Sequence, residues 1–218
     1  VTLIPPVFMS AVRGVGASLL LLLWCQWRGI RLFERDGSLW GGLLVGSLFA
    51  AEFAFIYIGL QHTSASRLTV FLYTSPFWVA ALVPLFIRSE RLRPAQWAGM
   101  ACAFAAVVFA LRDGLSEGAA TGDWMGLAAG ALWGLTTVTI RAKNLTRIPA
   151  EKLLFYQIAL SAGLLLVLSY LMGESWSGHW SPFALGSVAI QAVLGAFASY
   201  LAWMWMLGRY PATQISAF

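Results

Sequence analysis

The sequence predicts an all-α integral membrane protein, an inverted repeat of five-helix units, with about seven spans plus the start of an eighth. Three observations predict it: a composition too apolar for water, a series of long apolar runs, and two faint internal matches at nearly equal offsets. Of 218 residues, 60% are hydrophobic and 11% charged, and the mean hydropathy is +0.76. A soluble domain carries roughly 25% charged residues, so this chain has too few to cover a soluble surface.

A transmembrane helix needs about 20 mostly apolar residues, and sometimes as few as ~17. Seven runs qualify: 3–24, 40–60, 68–87, 97–111, 124–140, 153–172 and 183–206. The fourth is short and is expected to begin near Ala95. The connecting segments reach about a dozen residues, which leaves no room for a soluble ATPase domain. No G-x-x-x-x-G-K-[ST] phosphate loop occurs, and "GVG" at 14–16 lies inside an apolar run without the strand that a nucleotide fingerprint needs.

Basic residues then orient the spans. Segments after the first, third, fifth and seventh runs hold Arg28, Arg31, Arg35, Arg88, Arg91, Arg93, Arg141, Lys143, Arg147, Lys152 and Arg209. The other side holds Arg67 and Arg112. This positive-inside bias puts Val1 outside and the segment after the seventh run in the cytoplasm. It also accounts for the net charge of +5 without nucleic acid. Trp24, Trp27, Trp40, Trp97, Trp124, Trp176 and Trp180 fall near the predicted interfaces, as an aromatic belt does.

The chain also repeats itself. "IPPVFMSAVRGVGASLLLLLW" (4–24) matches "IPAEKLLFYQIALSAGLLLVL" (148–168) at an offset of 144, and "LQHTSASRLTVF" (60–71) matches "LGRYPATQISAF" (207–218) at 147. Span one then corresponds to span six and span two to span seven, a period of five. An odd period inverts the second unit relative to the first, and inverted repeats are a transporter architecture with a substrate site near mid-membrane. On this register the units are 1–119, lacking its first helix, and 120–218, lacking its last helices. The complete architecture would have ten helices, so the chain is expected to be a fragment or a truncated product.

Arg13 is the most demanding residue. A cation at the centre of a span costs roughly 2.5–3.5 kcal/mol on insertion scales, and ~15 Å separates it from either end of its apolar run. Pro6, Met9, Ser10, Gly16 and Ala17 share its face. It is expected either to anchor an anionic group such as a substrate carboxylate, or to be a structural charge paired with a neighbour or with backbone carbonyls. Glu52 is the one acid at mid-depth, and Leu48, Phe49, Phe55 and Ile56 on its own face offer it nothing polar. It either forms an ion pair with Arg13 or exchanges a proton during transport.

Trp78 and Trp133 lie in mid-span. In "YTSPFW", Tyr73, Thr74 and Ser75 supply polar groups, and Pro76 frees a backbone carbonyl. In "LWGLTT", Trp133 stands beside Thr136 and Thr137, and Tyr156 and Gln157 offer polar groups from span six. These could line a cavity, although Ser and Thr in spans most often bond their own helix. The expected substrate-binding set is Arg13, Tyr73, Thr74, Trp78, Trp133, Thr137 and Gln157. The small-residue ladders Ser10/Gly14/Ser18 and Gly126/Gly130/Gly134 read as helix packing seams. Glu90, among Arg88, Arg91 and Arg93, reads as a local ion pair or a topology anchor at a helix end rather than a substrate site.

Enzyme chemistry has little to work with. His62 and His179 fall in outer loops, no H-E-x-x-H occurs, and no span holds an internal aspartate, so no catalytic residue, metal ligand or cofactor is expected. Cys25 and Cys102 are too few for a disulfide framework. The first run has neither a basic n-region nor a small-residue cleavage site, and so does not read as a signal peptide. A non-transporting membrane assembly subunit or scaffold is the alternative, though a scaffold needs no charge at mid-depth. The expected partners are a small-molecule substrate and the lipid bilayer; a homodimer is compatible with the sequence and not required by it.

Three segments carry a family resemblance: "IPPVFMSAVR", "GDWMGLAAGALWGLTTVTIR", and above all "SASRLTVFLYTSPFWVAALVPLFIRSERLRPAQWAGMACAFAAVV", with Pro76, Glu90 in "ERL", Trp97 and Gly99. The chain resembles the EamA-type members of the drug/metabolite transporter superfamily. The resemblance implies ten helices in two inverted five-helix repeats that move small metabolites, amino acids or related compounds, often outward, by alternating access. It also implies an arginine at the position of Arg13, and a multi-pass protein of the plasma membrane, the inner membrane in a bacterium.

Overall fold

A computed structural model describes residues 4–34, 36–87, 91–110, 112, 120–176 and 180–215. Arg35, Arg88, Glu90, His179 and Phe218, each used in the sequence reading, lie outside the described residues. All regular structure among the described residues is helical: α1 (Pro6–Trp27), α2 (Leu39–Gly59), α3 (Ala65–Leu72), α4 (Ser75–Phe86), α5 (Pro94–Ala110) and α6 (Ala120–Ala142) come first. After a single 3-10 turn, Leu145–Arg147, come α7 (Ala150–Leu171), α8 (Pro182–Ile190), a π-helical segment (Gln191–Ser199), α9 (Tyr200–Leu207) and α10 (Ala212–Ile215).

Among the described residues, five stretches are long and apolar enough to cross a membrane: Pro6–Trp27, Leu39–Gly59, Ala65–Phe86, Ala150–Leu171 and Pro182–Leu207. The fourth and fifth runs of the sequence also form helices, α5 and α6. At 17 residues α5 is a shorter apolar helix, and α6 carries Asp123 in its first turn and Arg141 in its last.

Two runs expected as single helices are interrupted. The third breaks at Tyr73 and Thr74. Thr74 donates its hydroxyl to the Phe71 carbonyl (2.6 Å), which also accepts from the Thr74 N–H (3.1 Å). Pro76 therefore stands in the first turn of α4 rather than in mid-helix, where its missing N–H breaks no ladder. The seventh run changes to π-helical winding between Gln191 and Ser199.

The contacts gather the chain into two units. The first comprises 1–50 and 144–209, the second 51–143 and 210–218, so α2 begins in one and ends in the other. In the first unit α1 packs most extensively on α7. They run antiparallel, because Glu174, just past the end of α7, accepts from the N–H groups of Val7 (3.2 Å) and Phe8 (2.8 Å) at the start of α1. Those N–H groups have no acceptor within their own helix, and a carboxylate there also meets the positive end of the helix dipole. Glu174→Ala is expected to cost about 1–2 kcal/mol and Glu174→Gln less, measured by thermal unfolding in detergent. Equal stability of Glu174→Ala and wild type would refute the cap.

α1 and α7 also share their start and stop chemistry at a spacing of 144. Each has 22 residues, with Pro5 and Pro149 extended just before the first turn. Each ends in a glycine of positive φ, Gly29 (68°) and Gly173 (71°), the conformation in which glycine has no steric cost. The closing bonds match in pairs: Ile30 N–H to Cys25 carbonyl (2.8 Å), and Glu174 N–H to Ser169 carbonyl (3.1 Å). The helices cross at Gly14, where an added Cβ would stand 2.9 Å from that of Ala162.

In the second unit α6 lies against α3 and α4, and its glycines form the seam. A Cβ at Gly126 would stand 2.9 Å from that of Phe71. At Gly134 it would stand 2.6 Å from that of Trp78. At Gly130 it would meet the Thr74 hydroxyl at 2.7 Å and the Phe71 and Leu72 carbonyls at 2.8 and 3.0 Å. α5 meets this group through Phe77, whose ring lies 5.4 Å from Phe104 and 6.3 Å from Trp97.

Candidate functional site

Arg13 is half-buried and donates to the Ser10 hydroxyl at 3.5 Å. Because α1 starts at Pro6, Arg13 is its eighth residue, ~10 Å from the N-terminal end rather than at mid-helix. Glu52 is buried on α2, also seven residues from a helix end, Gly59. Arg13 belongs to the first unit and Glu52 to the second.

The first unit also holds Gln157, buried on α7, whose side-chain oxygen has no hydrogen-bond partner among the described residues. Its face of α7 carries Ser161, buried four residues on. Tyr156 does not join it as a free polar group: its hydroxyl donates to the Leu32 carbonyl, in the turn between α1 and α2.

The second unit brings Thr74 and Trp78 to consecutive turns of the α6 seam, at Gly130 and Gly134. Thr74 is half-buried with its hydroxyl on its own chain, while Tyr73 and Trp78 are exposed. Trp133 is half-buried, and Thr136 and Thr137 are buried. The Thr136 hydroxyl has no partner among the described residues. Ser18, Ser47, Thr69 and Thr139 each bond the carbonyl four residues back in their own helix, as hydroxyls in apolar helices do. The outlying tryptophans Trp27, Trp40 and Trp124 are strongly exposed.

Two charge pairs were not legible in the sequence. Arg67, in the first turn of α3, makes a two-bond contact with Asp123 at the start of α6. Lys152, in the first turn of α7 and 2% exposed, donates to Asp36 at 2.8 Å. The other oxygen of Asp36 accepts from the Ser38 hydroxyl (2.6 Å) and N–H (2.9 Å), and its backbone carbonyl accepts from Arg147 (3.2 Å). The Lys152 ammonium, then the Ser38 hydroxyl and N–H, hold the Asp36 carboxyl well below the ordinary carboxylate range. Charge counting had put Lys152 and Arg147 among the loop cations. Their acid lies more than a hundred residues away, so no local spacing shows it. Among the described residues no group of His, Cys, Asp and Glu could hold a metal ion.

One family model, described as the EamA-like transporter family, matches residues 1–112 and 120–218. The chain belongs to this family. EamA proteins are transporters and not enzymes, and the apolar helices place this one in a membrane. Two relatives carry the same reading. An uncharacterized transporter of Archaeoglobus fulgidus is 26% identical over 220 residues, covering 98% of this chain and 74% of the relative. The uncharacterized transporter YoaV of Bacillus subtilis is 23% identical over 221 residues, with the same coverage. The chain thus spans about three quarters of their length. A crystal structure of a protein 19% identical has the same fold, with a TM-score of 0.82 over 98% of this chain and 74% of that one.

Proposed function

We propose that this EamA protein is a secondary carrier of the plasma membrane that moves small metabolites, amino acids or related compounds, outward by alternating access. The observation that carries the reading is Arg13, a permanent cation two turns inside an apolar helix long enough to span a bilayer. An intramembrane charge marks a substrate or ion pathway by default, and a guanidinium pairs with a carboxylate through two parallel bonds. In this reading Arg13 anchors the substrate carboxylate. Gln157, buried in the same unit with Ser161 four residues on, adds polar surface to the route; Tyr73, Thr74, Trp78, Trp133 and Thr137 of the second unit are the alternative substrate-binding surface. Glu52 supplies either a counter-charge or a proton. The opposed directions and matched ends of α1 and α7 support an inverted repeat, with 1–119 and 120–218 as its halves.

The test is uptake into everted vesicles from cells expressing the gene, with labelled amino acids and organic cations, with and without a proton gradient. Gene-dependent accumulation of carboxylate-bearing compounds is expected. Arg13→Ala should abolish it at unchanged membrane insertion, and Glu52→Gln should remove any dependence on the gradient. Normal transport by Arg13→Ala would refute the anchor and move the site toward Trp78 and Trp133. No gene-dependent accumulation of any compound would refute the carrier.

A further inference from the structure

The π-helical segment Gln191–Ser199 departs from ordinary winding inside the first unit, and its packing shows what the departure achieves. Val188, Ala192, Ala196 and Met204 are buried, at steps of four and eight residues. At about 3.6 residues per turn each step of four drifts by about 40°, which would put Met204 almost opposite Val188. The wider π winding, bonded from i to i+5, takes up that drift and keeps one face of the span inward. π turns inside helices also tend to mark functional sites, and this one begins at a polar residue, Gln191.

The segment lies alongside α1 and runs the same way: Phe8 and Trp180 approach at one end (ring centroids 6.2 Å apart), and Trp24 and Phe197 at the other (5.9 Å). Between these, a Cβ at Gly16 would stand 3.5 Å from that of Ala192. α1 thus meets α7 at Gly14 and the π segment at Gly16. Arg13 is about 100° around α1 from Gly14 and about 60° from Gly16, on the arc between the two contacts. Val15, Leu19 and Leu23 occupy the opposite, exposed arc. Gln191 precedes Ala192 by one residue, so it lies within about 5 Å of the level of Arg13 along the axis. Arg13 and Gln191 are turned from the Gly16/Ala192 contact in opposite senses, which on two parallel helices opens onto the same side. Ser161, buried, and Arg13 each precede the Gly14/Ala162 contact by one residue. On an antiparallel pair equal senses open onto one side, so α7 brings Ser161 to it as well.

Gln191 is half-buried and donates its amide nitrogen to the Ser187 hydroxyl at 3.1 Å. The carboxamide oxygen, a pure acceptor, is the end of the amide not spent on Ser187. Arg13 offers donors only. A donor set and an acceptor at one level suit a molecule that carries a carboxylate beside an ammonium group. We propose that Gln191, held by Ser187, is a substrate-binding residue that accepts from the ammonium of an α-amino acid whose carboxylate lies on Arg13. The proposal rests on the carrier reading and narrows it to the zwitterion. An α-keto acid with the same side chain sets an acceptor against the Gln191 oxygen and leaves both unpaired, which a site of this kind rejects.

The test is gene-dependent uptake into everted vesicles of labelled matched pairs: alanine and pyruvate, glutamate and oxoglutarate, phenylalanine and phenylpyruvate. The wild type should take up an amino acid about tenfold or more faster than its keto-acid partner. Gln191→Leu should slow the amino acid about tenfold, equivalent to about 1.4 kcal/mol, and leave the keto acid unchanged, so the preference disappears. Ser187→Ala should narrow the preference less, because the carboxamide stays but is no longer held. Thermal unfolding in detergent checks that both variants fold, and if Gln191→Leu does not, Ser187→Ala carries the comparison. Equal rates within the pairs for the wild type, or an unchanged preference in the folded variants, would overturn the proposal and leave the carrier standing. Accumulation of neither class would also overturn it, whereas the carrier reading falls only if the wider screen, organic cations included, is blank.

Discussion

Gly130→Ala and Gly134→Ala are each expected to destabilise the protein by about 3 kcal/mol or more, the upper end of what overpacking costs. At Gly130 the new methyl group would meet the Thr74 hydroxyl at 2.7 Å and the carbonyls of Phe71 and Leu72 at 2.8 and 3.0 Å. Those carbonyls belong to the last residues of α3, and the Thr74 hydroxyl is committed to one of them. None of the three is the far end of a flexible side chain, so relief requires α6 to move away from the broken helix. At Gly134 the obstacle is the Cβ of Trp78, which is equally fixed to its backbone, at 2.6 Å. Gly163→Ala provides the control. That glycine is also in a helix interior, but a Cβ there meets nothing within 4 Å, so removing its backbone freedom should stabilise by about 0.5–1 kcal/mol. Thermal unfolding in detergent, with the monodisperse fraction on size exclusion, separates the three variants. Equal melting of Gly130→Ala and Gly163→Ala would mean that the seam is looser than these distances.

The seam also shows which features the sequence makes legible. Glycines four apart on an apolar run announce a close helix approach, and Gly126, Gly130 and Gly134 deliver one. The partner is not announced, because the approach is set by the break at Tyr73 and Thr74. Pro76 marks that break in the sequence but places it a turn late, since a proline is as well suited to a first turn as to a kink. The matched α1 and α7 ends were legible as "IP" at 4–5 and 148–149; the glycines that close them, Gly29 and Gly173, keep the same spacing. Arg13 was legible as a cation within an apolar run, and the start of its helix at Pro6 makes it the eighth residue of α1. Charges bound by distant acids were opaque. Lys152 reads as one more loop cation until the fold brings Asp36 to it.

That pair also controls a pH response whose sign follows from Asp36. Its carboxyl titrates below the ordinary range, and Lys152 is the largest cause. A depressed carboxyl contributes stability that is fully present above the unfolded value, about 3.9, and is lost as pH falls through the folded one. Comparing wild type with Lys152→Met isolates this contribution, because the variant removes that cause and leaves the bonds from Ser38. The wild type should be the more stable by a constant margin from about pH 5 to pH 8. The margin should narrow below about pH 4, where Asp36 is protonated in the unfolded chain. The Ser38 hydroxyl beside Asp36 does not titrate in this range. A margin that grew toward low pH would require the opposite sign of shift at Asp36, and with it a turn held by something other than its charge. A margin already shrinking between pH 7 and pH 5 would assign the response to a group other than Asp36.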